Sequence, residues 1–382
     1  MKTDQDPWSS TAKDVRQHIS HVLTNEITGV IVTVVDVDGS AYRRPGAKMV
    51  IDEDENPTGA VTAGCLETEV QTTAKKTLRT GKPNTDIYDM TADSNKSWGL
   101  GLGCEGVITL FYEPVDRSWE AILNWLREGT SVQVTSVIRS NHPEVSNEGK
   151  MAWVDGIWEE LPSRKNIPKS VRSKLNETVS KLDGTGKTVT TTVTAGGDEV
   201  TLAVESMNPV DEIILFGSQN DIRPVANLGS MVGFDVTVYS PRGSTSKPEF
   251  PGADNVITGH PSEIADIVDK PEYTYPVIMS HNLVDDTIAL ETLIEETTVS
   301  YIGLMGPQDR FKKIRAENEV IEQASNDRIS TPIGLDLGGA SPVKIGVSII
   351  SEILAVSNER DGRRLVYKEG PIHSRLEEIK EE

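Results

Sequence analysis

The chain has 382 residues, with 59 acidic side chains against 38 lysines and arginines and a formal net charge of −21. That balance argues against nucleic acid and against an anionic membrane surface as partners, because both reward lysine and arginine. With 36% hydrophobic residues the composition suits a globular fold, and the length suits two domains rather than one core.

Residues 9–25 are expected to form a helix capped by Ser9 or Ser10, with Val15, Ile19, Val22 and Leu23 on one face. His18 and His21 share a helical face three residues apart, and with no third ligand nearby in sequence they are expected as a half-exposed pair. Val30–Val37 is a β-branched run of the kind found in buried strands, and "AKMVIDE" continues as a second strand. Leu66, Val70, Ala74 and Leu78 then repeat along one helical face, and Gly106–Val115 reads as another strand. Residues 1–117 are therefore expected as an α+β module. Residues 118–207 follow as a connecting segment, with a helix at "WEAILNWLREG" and antiparallel strands at "SVQVTSVIRS", "KTVTTTVTA" and "EVTLAVES".

From residue 208 to 370 strands and helices alternate. "DEIILFGSQNDIRPVANLGSMVGFDVTVYSPR" is a βαβ unit, followed by helix at "PSEIADIV", strand at "PVIMSHN", helix at "DDTIALETLIEE" and strand at "SYIGLMG". A charged helix over 310–324 comes next, and a final helix begins at Ser341 and Pro342. This alternation predicts a Rossmann-like, doubly wound parallel sheet. Residues 371–382 form a short charged tail.

The amino terminus is polar with no apolar segment of signal-peptide length, and no run of roughly 18 apolar residues occurs, so a cytoplasmic protein without a membrane span is expected. Two cysteines, Cys65 and Cys104, cannot build a disulfide scaffold and are expected as thiols. Arg43 and Arg44 stand in a turn closed by Pro45 and Gly46, where they can present a guanidinium fork to phosphate or carboxylate or simply pair with nearby acids. Cys65 stands at a helix start, which favours a thiolate, although Glu67 and Glu69 oppose that effect. Cys104 lies among glycines 99, 101, 103 and 106. His281 follows a strand of the Rossmann-like region and so belongs at the ligand-binding edge of the sheet, with Asp285 and Asp286 close behind.

The dinucleotide fingerprint is incomplete. Gly217 is present, but Gln219 and Ile222 hold its second and third glycine positions, and no acid ends the second strand, where Tyr239, Ser240 and Arg242 stand instead. NAD(P) is therefore disfavoured as a cofactor.

The stretches "GSAYRRPGAKMVI", "GAVTAGCLE" and "GLGLGCEGVI" resemble the amino-terminal signature of the XdhC/CoxI family of xanthine dehydrogenase accessory proteins. "LFGSQNDIRPVANL", "MSHNLVDD", "YIGLMGPQDR" and "PIGLDLGGASPVKIGVSIISEILA" are similar to that family's Rossmann domain. The resemblance implies a factor that binds the molybdenum cofactor (molybdopterin) and delivers it to a molybdenum hydroxylase apoenzyme. A cysteine desulfurase as second partner and a homo-oligomeric state are also implied. In the amino-terminal motifs it points to Arg43, Arg44, Cys65, Glu67 and Cys104 as cofactor-binding, with both cysteines as candidate metal ligands. In the Rossmann region it points to Gly217, Asp221, His281, Asp285 and Asp336. The sequence departs from the family where Gln219, Ser240 and Glu105 replace commoner residues, which leaves room for a different role: an NAD(P)-dependent oxidoreductase acting on a small molecule. A scaffold that docks a hydroxylase without holding cofactor is the third reading.

Overall fold

A computed structural model describes residues 7–90, 106–241, 243, 246–324, 326–370 and 372. The chain divides into two units, Met1–Pro209 and Val210–Glu382. Cys104, Glu105 and Arg242 lie outside the described residues, as does the charged tail apart from Ile372.

The first unit opens with helix α1 (Ala12–Thr24). Its cap is Thr11 rather than Ser9 or Ser10, because Asp14 stands three residues on and closes a capping box. The Thr11 N–H donates to the Asp14 carboxylate at 2.7 Å, and the Asp14 N–H donates back to Thr11 Oγ1 at 3.3 Å. Strands β1 (Gly29–Gly39), β2 (Lys48–Asp52) and β3 (Pro57–Gly59) follow, then helix α2 (Glu67–Thr80) and strands β4 (Asn84–Asp89) and β5 (Gly106–Pro114). They build an antiparallel sheet in the order β3-β2-β1-β5-β4. β1 is buried from Gly29 to Val35 because both its faces are covered there. Val30, Val32 and Val34 pack with Leu66, Val70 and Ala74 at α2, whereas Ile31 packs with Val15 and Ile19 of α1.

Helix α3 (Arg117–Arg127) leads into a second antiparallel sheet. Its strands are β6 (Val132–Ser140), β7 (Lys150–Val154), β8 (Ile157–Glu160), β9 (Thr188–Ala195) and β10 (Asp198–Met207), in the order β8-β7-β6-β10-β9. Two short helices, α4 (Lys169–Arg172) and α5 (Asn176–Leu182), lie between β8 and β9 in the chain. One apolar cluster joins α1, α3, Ile31 and Val50 of the first sheet, and Val134 and Ala152 of the second.

Charged side chains also cross between the sheets. Lys150 of β7 donates to Glu113 of β5 at 2.9 Å, and Arg164 reaches the same carboxylate at 2.9 Å and Asp116 at 2.8 Å. Lys48 of β2 pairs with Glu205 of β10 at 2.5 Å. Trp119, 1% exposed, lies between the pairs, with Lys150 Nζ 4.1 Å and Lys48 Nζ 5.9 Å from its ring centroid. Burial alone would raise the Glu113 carboxyl, but the Lys150 and Arg164 charges outweigh it and hold it below the usual carboxylate range.

His18 is a correction to the half-exposed pair expected above. It is buried, with Nδ1 2.8 Å from Thr58 Oγ1 and Nε2 3.3 Å from Asp52 Oδ2, so it ties α1 to the β2–β3 hairpin. Desolvation lowers its pKa below the ordinary 6.5, and the nearby Asp52 charge only partly offsets it.

In the second unit the strands β11 (Glu212–Phe216), β12 (Asp235–Ser240), β13 (Asn255–Thr258), β14 (Thr274–Ile278), β15 (Ile302–Leu304) and β16 (Ile329–Ser330) form one parallel sheet, ordered β13-β12-β11-β14-β15-β16. The order reverses between β11 and β14, which is where a doubly wound sheet opens its ligand crevice. The helices are α6 (Ile222–Met231), α7 (Leu283–Glu296), α8 (Gln308–Glu317), α9 (Glu319–Gln323) and α10 (Pro342–Ser357). Ser341 caps α10 as the sequence predicts, accepting from the Lys344 N–H. The single charged helix expected over 310–324 is instead two, because the Asn318 side chain caps the second by accepting from Ile321 N–H at 3.0 Å. "PSEIADIV" closes as a 3-10 helix, Pro261–Ile267, rather than an α-helix. Among the described residues no helix is long and apolar enough to cross a membrane.

Two outcomes follow from these buried groups. Glu113→Gln leaves Lys150 and Arg164 without their shared counter-charge and is expected to cost about 3–5 kcal/mol in urea unfolding. The double variant Glu113→Gln/Lys150→Met is expected to recover part of that loss. His18 binds a proton more readily unfolded than folded. Its contribution is therefore fully present above about pH 6.5 and is lost as pH falls towards the lower folded value. His18→Asn should flatten the dependence of the urea midpoint on pH between neutrality and pH 5.

Candidate functional site

Strand register brings the amino-terminal candidates to one end of the first sheet. The turn holding Arg43 and Arg44 joins the end of β1 to the start of β2, and Gly46 closes it with φ +96°, its N–H donating to Val34 O at 2.8 Å. Strand β3 runs back beside β2, pairing Gly59 with Met49, so the segment carrying Cys65 leaves the sheet at that same end. Strand β5 begins there too. Gly106 pairs with Gly39, and a Cβ on Gly106 would stand 2.6 Å from Ser40 O, so the chain enters β5 tight against the start of the arginine turn.

Within this end the side chains differ. Arg43 is half-buried, and its Nε is buried without a hydrogen-bond partner among the described residues, whereas Arg44 is exposed. Cys65 is half-buried against the α2-side core, its thiol one residue before the N-cap position of α2. Glu67, in the first turn of α2, accepts from Thr62 Oγ1 at 2.7 Å through one oxygen, while its other oxygen is buried and without a partner among the described residues. The end of the sheet thus holds an unsatisfied guanidinium donor, an unsatisfied carboxylate acceptor and a thiol.

A second neighbourhood lies at the carboxyl ends of β11 and β14. Gly217 follows β11 with φ +148°, and a Cβ there would stand 2.8 Å from Met279 O, so glycine is required by the neighbouring strand end. Asp221 stands just before α6, and its Oδ2 is 2.7 Å from His281 Nε2, which joins the two sides of the switch point. Its Oδ1 is buried and unpartnered. His281 adopts φ +59°, a conformation uncommon for a residue with a side chain and one that clusters at functional sites.

Behind the pair, Asp286 is 1% exposed. It accepts from Ser280 Oγ at 2.5 Å and pairs with Arg310; burial raises its pKa, and the Ser280 and Arg310 contacts oppose that rise. The sequence places both Asp285 and Asp286 behind His281, and the resemblance points to Asp285 for this place. In the structure Asp285 sits in the first turn of α7, its N–H bonded to Asn282 Oδ1, and Asp286 is the residue that points inward. The signal for Asp286 is its place at the start of a strongly apolar helical face, together with Arg310 in "PQDR". Asp336 lies in the loop between β16 and α10 and is exposed. Among the described residues no group of three or more His, Cys, Asp or Glu side chains is arranged to hold a metal.

Residues 22–89 match the model of the XdhC and CoxI family, and residues 213–353 match that of the XdhC Rossmann domain. A probable xanthine dehydrogenase subunit of Bacillus subtilis (strain 168) is 28% identical over 343 residues, covering 87% of this chain and 94% of that protein. Uncharacterized protein YqeB of Escherichia coli (strain K12) is 26% identical over 185 residues, which is 46% of this chain but 32% of YqeB. Among solved structures, a xanthine dehydrogenase from Bacillus halodurans shares the fold with a TM-score of 0.70 and 24% identity, over 93% of this chain and 98% of that one.

The crevice geometry bears directly on dinucleotides. A pyrophosphate would have to lie where Gln219 replaces glycine and where the Asp221 carboxylate already stands, and two negative groups there repel. Calorimetric titration with NAD is expected to show no binding at micromolar concentration. A micromolar Kd would show that the turn rearranges to admit the cofactor.

Proposed function

Because the chain belongs to the XdhC and CoxI family, we propose that it is a maturation factor for a molybdenum hydroxylase, binding the molybdenum cofactor and handing it to the apoenzyme. The observation that carries this reading is Arg43, whose buried Nε lacks a partner among the described residues at the sheet end where the Cys65 segment also emerges. A buried donor left unsatisfied costs about 1–3 kcal/mol, and a phosphate oxygen is a strong acceptor for it. The cofactor's phosphate suits Arg43 and Arg44. Its pterin N–H groups suit the free oxygen of Glu67, and its soft, thiophilic metal suits Cys65. A cysteine desulfurase that supplies the cofactor's sulfur and a second copy of this chain complete the assembly in this reading.

Purified protein mixed with the cofactor and separated by gel filtration tests it. Arg43→Ala and Arg44→Ala are each expected to weaken retention about ten- to a hundredfold, the value of a charge-assisted contact of roughly 1.5–3 kcal/mol. Cys65→Ser should reduce retention of the molybdenum-bearing form more than that of the metal-free pterin. If the wild type and all three variants hold the cofactor equally, or none does, this end of the sheet is not the cofactor site.

A further inference from the structure

The two sheets of the first unit each carry a β-bulge, and the bulges meet. Pairing of β1 with β5 steps from Val34↔Leu110 to Asp36↔Thr109 and leaves Val35 as the extra residue. Pairing of β6 with β10 steps from Arg139↔Thr201 to Val137↔Leu202 and leaves Ile138 extra. A bulge residue drops out of the ladder, and here each bulge carbonyl is taken up across the sheet boundary by a threonine. Thr190 Oγ1 of β9 donates to Val35 O at 2.8 Å, and Thr85 Oγ1 of β4 donates to Ile138 O at 3.1 Å. The Val35 and Ile138 side chains pack together with Phe111 and Ala203 beneath.

Over this floor lies a cleft of about 270 Å³. The residue after each bulge lines it: Asp36 from the first sheet and Arg139 from the second. Neither side chain has a hydrogen-bond or ion-pair partner among the described residues, whereas Asn84, Thr85, Thr190 and Thr201 of the wall are each bonded, to Asp86, Ile138 O, Val35 O and Thr192. Ile87, 58% exposed, provides an apolar edge, and Asn147 provides a free amide. Bulges commonly re-aim side chains next to binding sites, and these two bring one free carboxylate and one free guanidinium to a single cavity.

We propose that this cleft binds a free α-amino acid, with Asp36 receiving the ammonium group and Arg139 the carboxylate. The volume lies just under the roughly 300–1,000 Å³ usual for drug-sized ligands, so the occupant is small. A ligand carrying both charges satisfies both side chains. A simple anion would meet Asp36 and a chain of net charge −21, and a simple cation would meet Arg139. This site is independent of the cofactor reading above.

The test is calorimetric titration of the full-length protein with each of the twenty common L-amino acids as probes. At least one is expected to bind in the millimolar range or tighter, with Asp36→Asn and Arg139→Gln each weakening it about tenfold or more. Both side chains are exposed, so the variants should keep the wild-type circular dichroism and melting temperature. The N-acetylated and carboxamide forms of the bound amino acid are expected to lose affinity to the same extent. The proposal is overturned if no amino acid binds the wild type at millimolar concentration, if a capped form binds as well as the free one, or if both variants keep wild-type affinity.

Discussion

The first unit depends on charges buried between its two sheets. A carboxylate on one sheet can be withdrawn from water only if the other sheet delivers cations to it, and Glu113 receives two, from Lys150 and Arg164. The second bridge, Lys48 to Glu205, runs with opposite polarity, base on the first sheet and acid on the second. A shift of one sheet over the other would separate both pairs at once. Trp119 fills the space between them and accepts the lysine charges on its ring face. Apolar packing alone tolerates small slips; these directional pairs do not.

The second unit solves a different problem, presenting side chains at the open end of a parallel sheet. The constraint is backbone proximity at the switch point, where Gly217 passes so close to Met279 O that no side chain fits. That closeness puts the start of α6 and the turn after β14 within one hydrogen bond of each other, which is how Asp221 and His281 pair although 60 positions apart. The Asp286–Arg310 contact behind them fixes the start of α7 against α8.

The parallel sheet was legible in the sequence because its central strands are covered on both faces and carry apolar runs, such as Ile213–Phe216. His281 was legible for the same reason, since a residue just past such a strand must lie at the binding edge. Two edge strands of the first unit were not: β4, "NTDIYD", and β8, "IWEE", are only partly covered and carry no apolar alternation. Glu113, Lys150 and His18 were also hidden. In a single sequence a buried charge looks like a surface one, and only three-dimensional pairing distinguishes it. The capping of α1 by Thr11 was readable from Asp14 three residues on, a signal stronger than the serines that precede it.

The buried bridges also set an order of events for the nascent chain. Lys48 leaves the ribosome 157 residues before its partner Glu205, and Glu113 leaves 37 before Lys150 and 51 before Arg164. Until β10 is made, the first sheet holds a lysine and, for part of that time, a glutamate with no counter-charge to bury against. Its final packing therefore waits on sequence-distant contacts, the slow kind in folding. The Lys48–Glu205 bridge can close only after some two hundred residues have been translated.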